Sequence, residues 1–113
     1  MANVYTNYKA VLTTNQLSTL YTVPSATTAV IKSILVSEDS GNADTITVTI
    51  TDTDDAVFSL FKTKSISANG TTELLSAPLV VAESEVVKVT AATANRLHVV
   101  LSALEIKPRE VTS

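Results

Sequence analysis

The sequence predicts an all-β fold: an antiparallel β-sandwich or jelly roll of about eight strands. The first observation is the stretch 44–55, DTITVTITDTDD, which places Ile46, Val48 and Ile50 on one face of an extended chain and four threonines on the other. The second is a series of further short segments rich in β-branched residues, separated by turn residues at intervals of about eight to twelve positions. The third is that no long segment combines helical spacing of apolar residues with helix caps.

The first half of the chain supplies four candidate strands. Residues 4–12 and 17–23 flank the polar segment 13–16, which predicts a hairpin between them. Pro24 ends the second strand, because proline cannot donate a hydrogen bond to a central ladder. Residues 28–37 carry apolar side chains on both faces, as a central strand does, and the loop around Gly41 leads into the stretch 44–55.

The second half of the chain continues the same pattern. Residues 56–66 alternate Val57, Ser59 and Phe61 against Phe58, Leu60 and Lys62. Asn69-Gly70 predicts a two-residue hairpin turn after this strand, since both residues tolerate positive φ. Pro78 predicts an edge strand or a bent connection. The remaining candidate strands are 71–75, 79–81, 86–91 and 97–106.

Length predicts one domain over residues 1–113, and the composition of residues 107–113 indicates a C-terminal arm. We also expect residues 1–7 to form an N-terminal arm. Charged residues make up 17% of the chain, below the roughly 25–35% that suits the surface of an isolated soluble protein. We therefore expect copies of the chain or other partners to cover much of its surface.

The same numbers argue against several functional classes. The net charge is −3 and the eight basic residues are scattered, whereas a nucleic-acid site needs a concentrated basic face. No apolar run approaches the ~20 residues that span a bilayer, so we expect no membrane partner. There is no cysteine for a disulfide or a thiolate metal site, and the two glycines do not form a phosphate-binding loop. We expect no cofactor.

Residues that could carry chemistry have simpler interpretations. Asp52, Asp54 and Asp55 resemble ligands of a hard cation, but they lack the glycine and terminal glutamate of the known calcium loop and favour a solvated turn. His98 is the only histidine, which excludes a histidine pair for zinc. Glu83 and Glu85 point the same way along a strand, as glycosidase carboxylates do, yet acids at a turn are usually solvated. We predict that the protein is not an enzyme.

All three tyrosines, Tyr5, Tyr8 and Tyr21, lie in the first two candidate strands. They favour core positions or contacts between subunits. The alternative is a carbohydrate-binding β-sandwich module that stacks sugars on these rings, although such modules prefer tryptophan and this chain has none.

Three stretches carry a family resemblance: LYTVPSATTAVIKSILVS at 20–37, LLSAPLVVAESEVVKVTA at 74–91, and LHVVLSALEI at 97–106. They resemble small β-sandwich structural proteins of tailed bacteriophages, and the likeness covers most of residues 6–106. The chain departs from that pattern at Glu83-Ser84-Glu85, where Gly-Asp commonly forms the tight turn. The resemblance implies a capsid decoration, or cement, protein that bridges capsomers of the head, with a neck, tail or fibre-attachment component as the alternative.

The resemblance further implies a location in the virion, assembled in the host cytoplasm, with the major capsid protein or other virion proteins as partners. It implies a homo-oligomer, with a trimer favoured. As contact residues we expect two tyrosines, the threonine face of the stretch 44–55 and the C-terminal arm, namely Tyr5, Tyr8, Thr47, Thr49, Lys107 and Arg109. In this interpretation, lysine at position 47 or 49 weakens assembly and spares folding.

Overall fold

The fold consists of β-strands joined by turns and loops. In a computed structural model that describes residues 2–107, there are nine strands and no helix. They are β1 (Ala2–Val11), β2 (Ser18–Thr22), β3 (Thr28–Glu38), β4 (Asp44–Thr51), β5 (Val57–Ile66), β6 (Thr71–Glu73), β7 (Leu79–Val81), β8 (Val86–Ala91) and β9 (Leu97–Lys107). The described part of the chain therefore contains no helix long and apolar enough to cross a membrane.

The strands form two antiparallel sheets. The five-stranded sheet has the order β1-β9-β3-β6, with β7 also paired to β3, and the four-stranded sheet has the order β2-β8-β4-β5. The pairing is nested: β1 pairs with β9, β2 with β8, β3 with β6 and β7, and β4 with β5. The predicted all-β antiparallel sandwich is confirmed, while its finer assignment as a jelly roll stays a prediction.

The core lies between the two sheets and follows the period of two. Along β9 the buried side chains are Leu97, Val99, Leu101 and Ala103, and along β4 they include Ile46, Val48 and Ile50. Full burial of one such aliphatic side chain contributes about 1.5–3 kcal/mol relative to exposure. The largest fully buried side chains are Tyr21, Ile31, Ile34, Ile46, Ile66, Leu97 and Leu101.

Both predicted hairpins are wrong. β1 and β2 belong to different sheets, so the segment 13–16 crosses from one sheet to the other. The turn near Asn69 spans residues 67–70, where the Gly70 N–H donates to the Ser67 carbonyl at 2.9 Å and Asn69 has a φ of 54°. It connects β5 of the four-stranded sheet to β6 of the five-stranded sheet. Local turn chemistry reverses the chain, but burial of the two inner faces decides which strands pair.

The alternation predicted for residues 56–66 is also wrong, because β5 is bulged. Its register with β4 shifts twice, between Ile46 and Val48 and between Val48 and Thr49. Each shift inserts an extra residue and changes the side to which the following side chains point. As a result Phe58 and Phe61, which lie opposite the inward-facing Ile50 and Val48, share one face.

The predicted N-terminal arm is part of the sandwich. Residues 2–7 belong to β1, where Ala2 pairs with Lys107 and Asn7 with Ser102. At the other end, Lys107 is the last residue of β9. Met1 and residues 108–113, which contain most of the predicted C-terminal arm, lie outside the described residues.

Candidate contact surface

The outer face of the five-stranded sheet carries a row of apolar side chains. Tyr5 lies opposite Leu104, Leu104 opposite Val30, and Val30 opposite Val80, so the row crosses β1, β9, β3 and β7. Directly opposite residues of antiparallel strands share a face. Tyr5 is 77% exposed and Val80 is 64% exposed, while Val30 and Leu104 are half-buried between them. We call these four residues the apolar row.

A second row on the same face has an apolar centre and charged ends. Lys9 lies opposite Val100, Val100 opposite Leu35, and Leu35 opposite Glu73. Interfaces between proteins commonly have this arrangement, in which apolar residues occupy the centre and charged residues the rim.

Glu73 has a structural role as well. Ser33 and the N–H of Ile34 both donate to its carboxylate, the latter at 2.8 Å, next to the register shift in β3. Burial raises the pKa of Glu73, but these hydrogen bonds outweigh it and hold the pKa below its usual range. The ionised carboxylate therefore satisfies backbone and side-chain donors at the bulge.

Two shallow depressions lie along β1 and β9 on this face. One has a volume of about 340 Å³ and is lined by Tyr5, Thr6, Asn7, Lys32, Ser102 and Ala103. The other, of about 240 Å³, is lined by Lys9, Ala10, Val11, His98, Val99 and Val100. His98 is half-buried there, with its Nε2 3.9 Å from the exposed Asp39 Oδ2.

Three of the acidic residues that we considered as ligands or catalysts accept hydrogen bonds from backbone N–H groups. The Asp52 carboxylate accepts from Asp54 at 2.9 Å and from Ala56 at 3.0 Å, which confirms the predicted turn. Glu83 accepts from the Ala26 N–H and Glu85 from the Ala82 N–H, both at 2.8 Å. Within residues 2–107, no group of three or more His, Asp or Glu side chains is placed to hold a metal ion.

Our sequence reasoning missed a buried carboxylate between the sheets. Glu105 is 5% exposed and accepts hydrogen bonds from Tyr21 at 2.6 Å and Tyr8 at 3.4 Å, whose rings are 4.5 Å apart. Burial, followed by the hydrogen bond to Glu105, raises the pKa of Tyr21 far above its usual value. The alternation of Leu101, Ala103 and Glu105 along the last strand was the available signal, because it places Glu105 on the inner face.

The structure does not bring the predicted contact residues together. Tyr5 belongs to the apolar row, whereas Tyr8 points inward to Glu105. Thr47 and Thr49 lie on the outer face of the four-stranded sheet, where Thr47 is half-buried and Thr49 is only 6% exposed. Lys107 is exposed at the end of β9, and Arg109 lies outside the described residues. The contact roles of these residues stay predictions.

The threonine face is less open than we expected. Thr49 lies between Lys88 of β8 and Ser59 of β5, and Thr51 lies between Val86 and Val57. Because β4 has a neighbouring strand on each side, the flanking side chains close over its threonines. Among the described residues, the hydroxyls of Thr49 and Thr51 have no hydrogen-bond partner.

A comparison with models of known protein families and a comparison with curated proteins both find no match for this chain.

Proposed function

We propose that the chain is a structural protein of a tailed-bacteriophage virion, acting as a capsid decoration protein that bridges capsomers. The observation that carries the proposal is the apolar row on the outer face of the five-stranded sheet, together with the resemblance of residues 20–37, 74–91 and 97–106 to phage virion proteins. Both point to a protein that acts by binding other proteins.

Exposure of the apolar row supports a partner on this face. Contiguous exposed apolar side chains that are rimmed by polar residues are a feature of protein interaction sites. Tyr5 and Val80 are exposed on the same face, near the two opposite edges of the sheet. Lys9 and Glu73 at the ends of the neighbouring row provide polar contacts at a rim. A surface of this kind binds by desolvation at its centre and orients the partner by charge at its edge.

Decoration of a shell requires only such surfaces. A standard interface buries about 1,600 Å², and a copy that touches two capsomers gains avidity because the second contact is intramolecular. The nested strand pairing supports assignment of the fold as a jelly roll. Jelly rolls occur in viral capsid proteins and also in lectins. That last link is an analogy of fold, since one fold supports many functions.

The proposal is tested on purified particles of the phage that encodes the chain. We expect hundreds of wild-type copies per head, measured by quantitative gel densitometry and located by low-resolution cryo-electron microscopy. V80E places a charge in the apolar row and should lower occupancy at least tenfold. V57E is the matched control, because Val57 is also a valine of similar exposure but lies on the four-stranded sheet.

Three results contradict the proposal in different ways. Absence of the protein from particles overturns the virion role. If V80E and V57E both reach the occupancy of the wild type, the assignment of this face is overturned. A few copies at the neck, tail or fibre overturn the decoration role and favour the alternative virion component.

A further inference from the structure

The two sheets have four edges, and three of them are interrupted. In the four-stranded sheet, β2 has a register shift between Thr19 and Tyr21, and β5 has two shifts together with Lys62 and Lys64. On the far side of the five-stranded sheet, β6 and β7 are three residues each. Bulges, lysines and short strands are the features that prevent a sheet edge from pairing with another chain.

The fourth edge, β1, is neither short nor bulged and carries a single lysine, Lys9. It is ten residues long, and its register with β9 runs from Ala2 to Val11 without a shift. It contains neither proline nor glycine, and its one charged residue is Lys9. A long and regular edge strand of low charge is a template for another strand.

The backbone groups open for pairing follow from the ladder between β1 and β9. The Leu12 N–H donates to the Leu97 carbonyl at 2.9 Å, directly after β1 and in the same register. Hydrogen-bonded pairs alternate along an antiparallel ladder, so the even-numbered residues of β1 direct their backbone groups to β9. The odd-numbered residues Asn3, Tyr5, Asn7 and Lys9 direct theirs outward, where no strand among residues 2–107 pairs with them.

We propose that β1 pairs antiparallel with β1 of a second copy, about a two-fold axis beside Thr6. In this register Val4 of one copy lies opposite Tyr8 of the other, and Tyr5 lies opposite Asn7. Pairs of an aromatic and a β-branched residue stabilise antiparallel sheets. Lys9 lies opposite Asn3, so the pairing brings no like charges together. The strand is thus complementary to itself, as a two-fold interface requires.

The contact supplies about as many hydrogen bonds as a typical specific interface. In each β1, four residues direct their backbone groups away from β9, and across the axis they form about eight N–H···O=C bonds. Typical interfaces have about ten hydrogen bonds. The pairing also joins the apolar rows of the two copies into one face, because Tyr5 is the β1 member of that row. This contact is two-fold, whereas the resemblance favours a trimer, so the mass in solution distinguishes the two arrangements.

The first test is the mass of the full chain by size-exclusion chromatography with light scattering. We expect the wild type and N7A to be dimers. We expect the dissociation constant of the dimer to rise at least tenfold in N7P. Proline removes the outward N–H at position 7 and leaves the bonds to β9 intact. A monomeric or trimeric wild type at 100 μM, or a folded N7P that dimerises like the wild type, overturns the proposal.

The second test does not depend on the folding of the proline variant. The chain has no cysteine, so T6C introduces one thiol per copy. The two Thr6 positions form a non-hydrogen-bonded pair with Cα atoms about 4.5 Å apart, a distance that a disulfide spans. We expect T6C to form a covalent dimer on mild oxidation, and the exposed loop variant T53C to remain largely monomeric on a non-reducing gel. Equal crosslinking of the two variants overturns the proposal.

Discussion

At the scale of single residues, the most unusual side chain is the Glu105 carboxylate. A buried carboxylate is costly unless hydrogen bonds replace the lost water. Tyr21 supplies the shorter bond, at 2.6 Å, and Tyr8 the longer, at 3.4 Å. The two tyrosines that a sugar-binding module would expose therefore serve the interior, and Tyr5 alone among the three presents its ring to the surface.

We predict that Y21F lowers the free energy of unfolding by about 1–3 kcal/mol, because a buried carboxylate oxygen loses its shorter partner. Y8F is the matched control and should lower it by less than about 1 kcal/mol, since that bond is longer and Tyr8 is half-buried. Urea denaturation at pH 7 measures both. Equal losses for the two variants would contradict the assignment of Tyr21 as the main partner.

The same pair has a defined dependence on pH. The folded state holds the pKa of Tyr21 above its usual value of 10.0, because burial and Glu105 disfavour the phenolate. The Tyr21 hydroxyl makes its full contribution to the free energy of unfolding below pH 10. This contribution declines as the pH rises further, because the hydroxyl loses its proton at a lower pH in the unfolded state than in the folded state. The difference in stability between the wild type and Y21F should therefore shrink between pH 9 and pH 11 in the same assay.

At the scale of elements, β4 shows how one face of a strand acquires different environments. Thr47 and Thr49 share that face, but the Thr47 Oγ1 accepts the N–H of Thr63 at 3.0 Å, whereas the Thr49 hydroxyl has no partner among residues 2–107. Thr63 lies at a bulge of β5 with a φ of 48°, which is strained for a β-branched residue. Thr47 therefore stabilises the irregular part of the neighbouring strand.

We predict opposite effects for two identical substitutions in β4. T47V should lower the free energy of unfolding by about 0.5–1.5 kcal/mol, because the Thr63 N–H loses its acceptor. T49V should leave it unchanged or raise it by up to about 1 kcal/mol, because it removes a buried hydroxyl without a partner. Thermal and urea denaturation measure both. Losses of equal size would show that the two hydroxyls are equivalent.

The burial of Thr49 also alters our expectation for lysine at these positions. The long charged side chain of a lysine does not fit at position 49, which is 6% exposed. We therefore expect T49K to lower the stability of the fold and also to weaken any contact made by this face. T47K remains the better probe of the threonine face, because Thr47 is half-buried and nearer to solvent.

At the scale of the whole molecule, Glu38 connects two loops, of which one follows a strand of the five-stranded sheet and the other follows a strand of the four-stranded sheet. It ends β3, and its carboxylate accepts N–H groups of Ser40, Gly41 and Asn42 in the β3–β4 loop. It also accepts the N–H of Asn69 at 3.0 Å, in the turn between β5 and β6. Glu38 thereby fixes two of the crossings between the sheets at one end of the sandwich.

We predict that E38Q destabilises the protein at pH 7 and that the difference from the wild type disappears at low pH. Burial raises the pKa of Glu38, but the hydrogen bonds from Ser40, Asn69 and Gly41 outweigh it and lower the pKa from 4.5 to about 2. The stabilisation is present above pH 4.5 and is lost as the pH falls toward 2, where the folded carboxylate is protonated. Urea midpoints from pH 7 to pH 2 measure this. D54N is the control, because it removes an exposed carboxylate from the turn after β4, and it should lower stability at pH 7 less than E38Q does.

Much of the local structure was predictable from the residues. The alternation of Ile46, Val48 and Ile50 predicted the inner face of β4, and all nine candidate strands occur with boundaries near those expected. The turn at Asp52 was also predictable, because a short carboxylate next to a reversal commonly accepts its own backbone N–H groups. The bulges of β5 were not, since alternation shows no local sign of an inserted residue.

By itself, the sequence determined the fold class and the face of most strands, because side-chain direction in a strand has a period of two and depends only on neighbouring residues. Only the tertiary structure decided which strands pair, since β1 pairs with β9 across the whole length of the chain. It also decided that Glu105 is buried with two tyrosines, that Thr49 is covered, and that Tyr5, Leu104, Val30 and Val80 form one row. The physical reason is that pairing and burial follow from closing two apolar faces on each other, which depends on residues far apart in the chain.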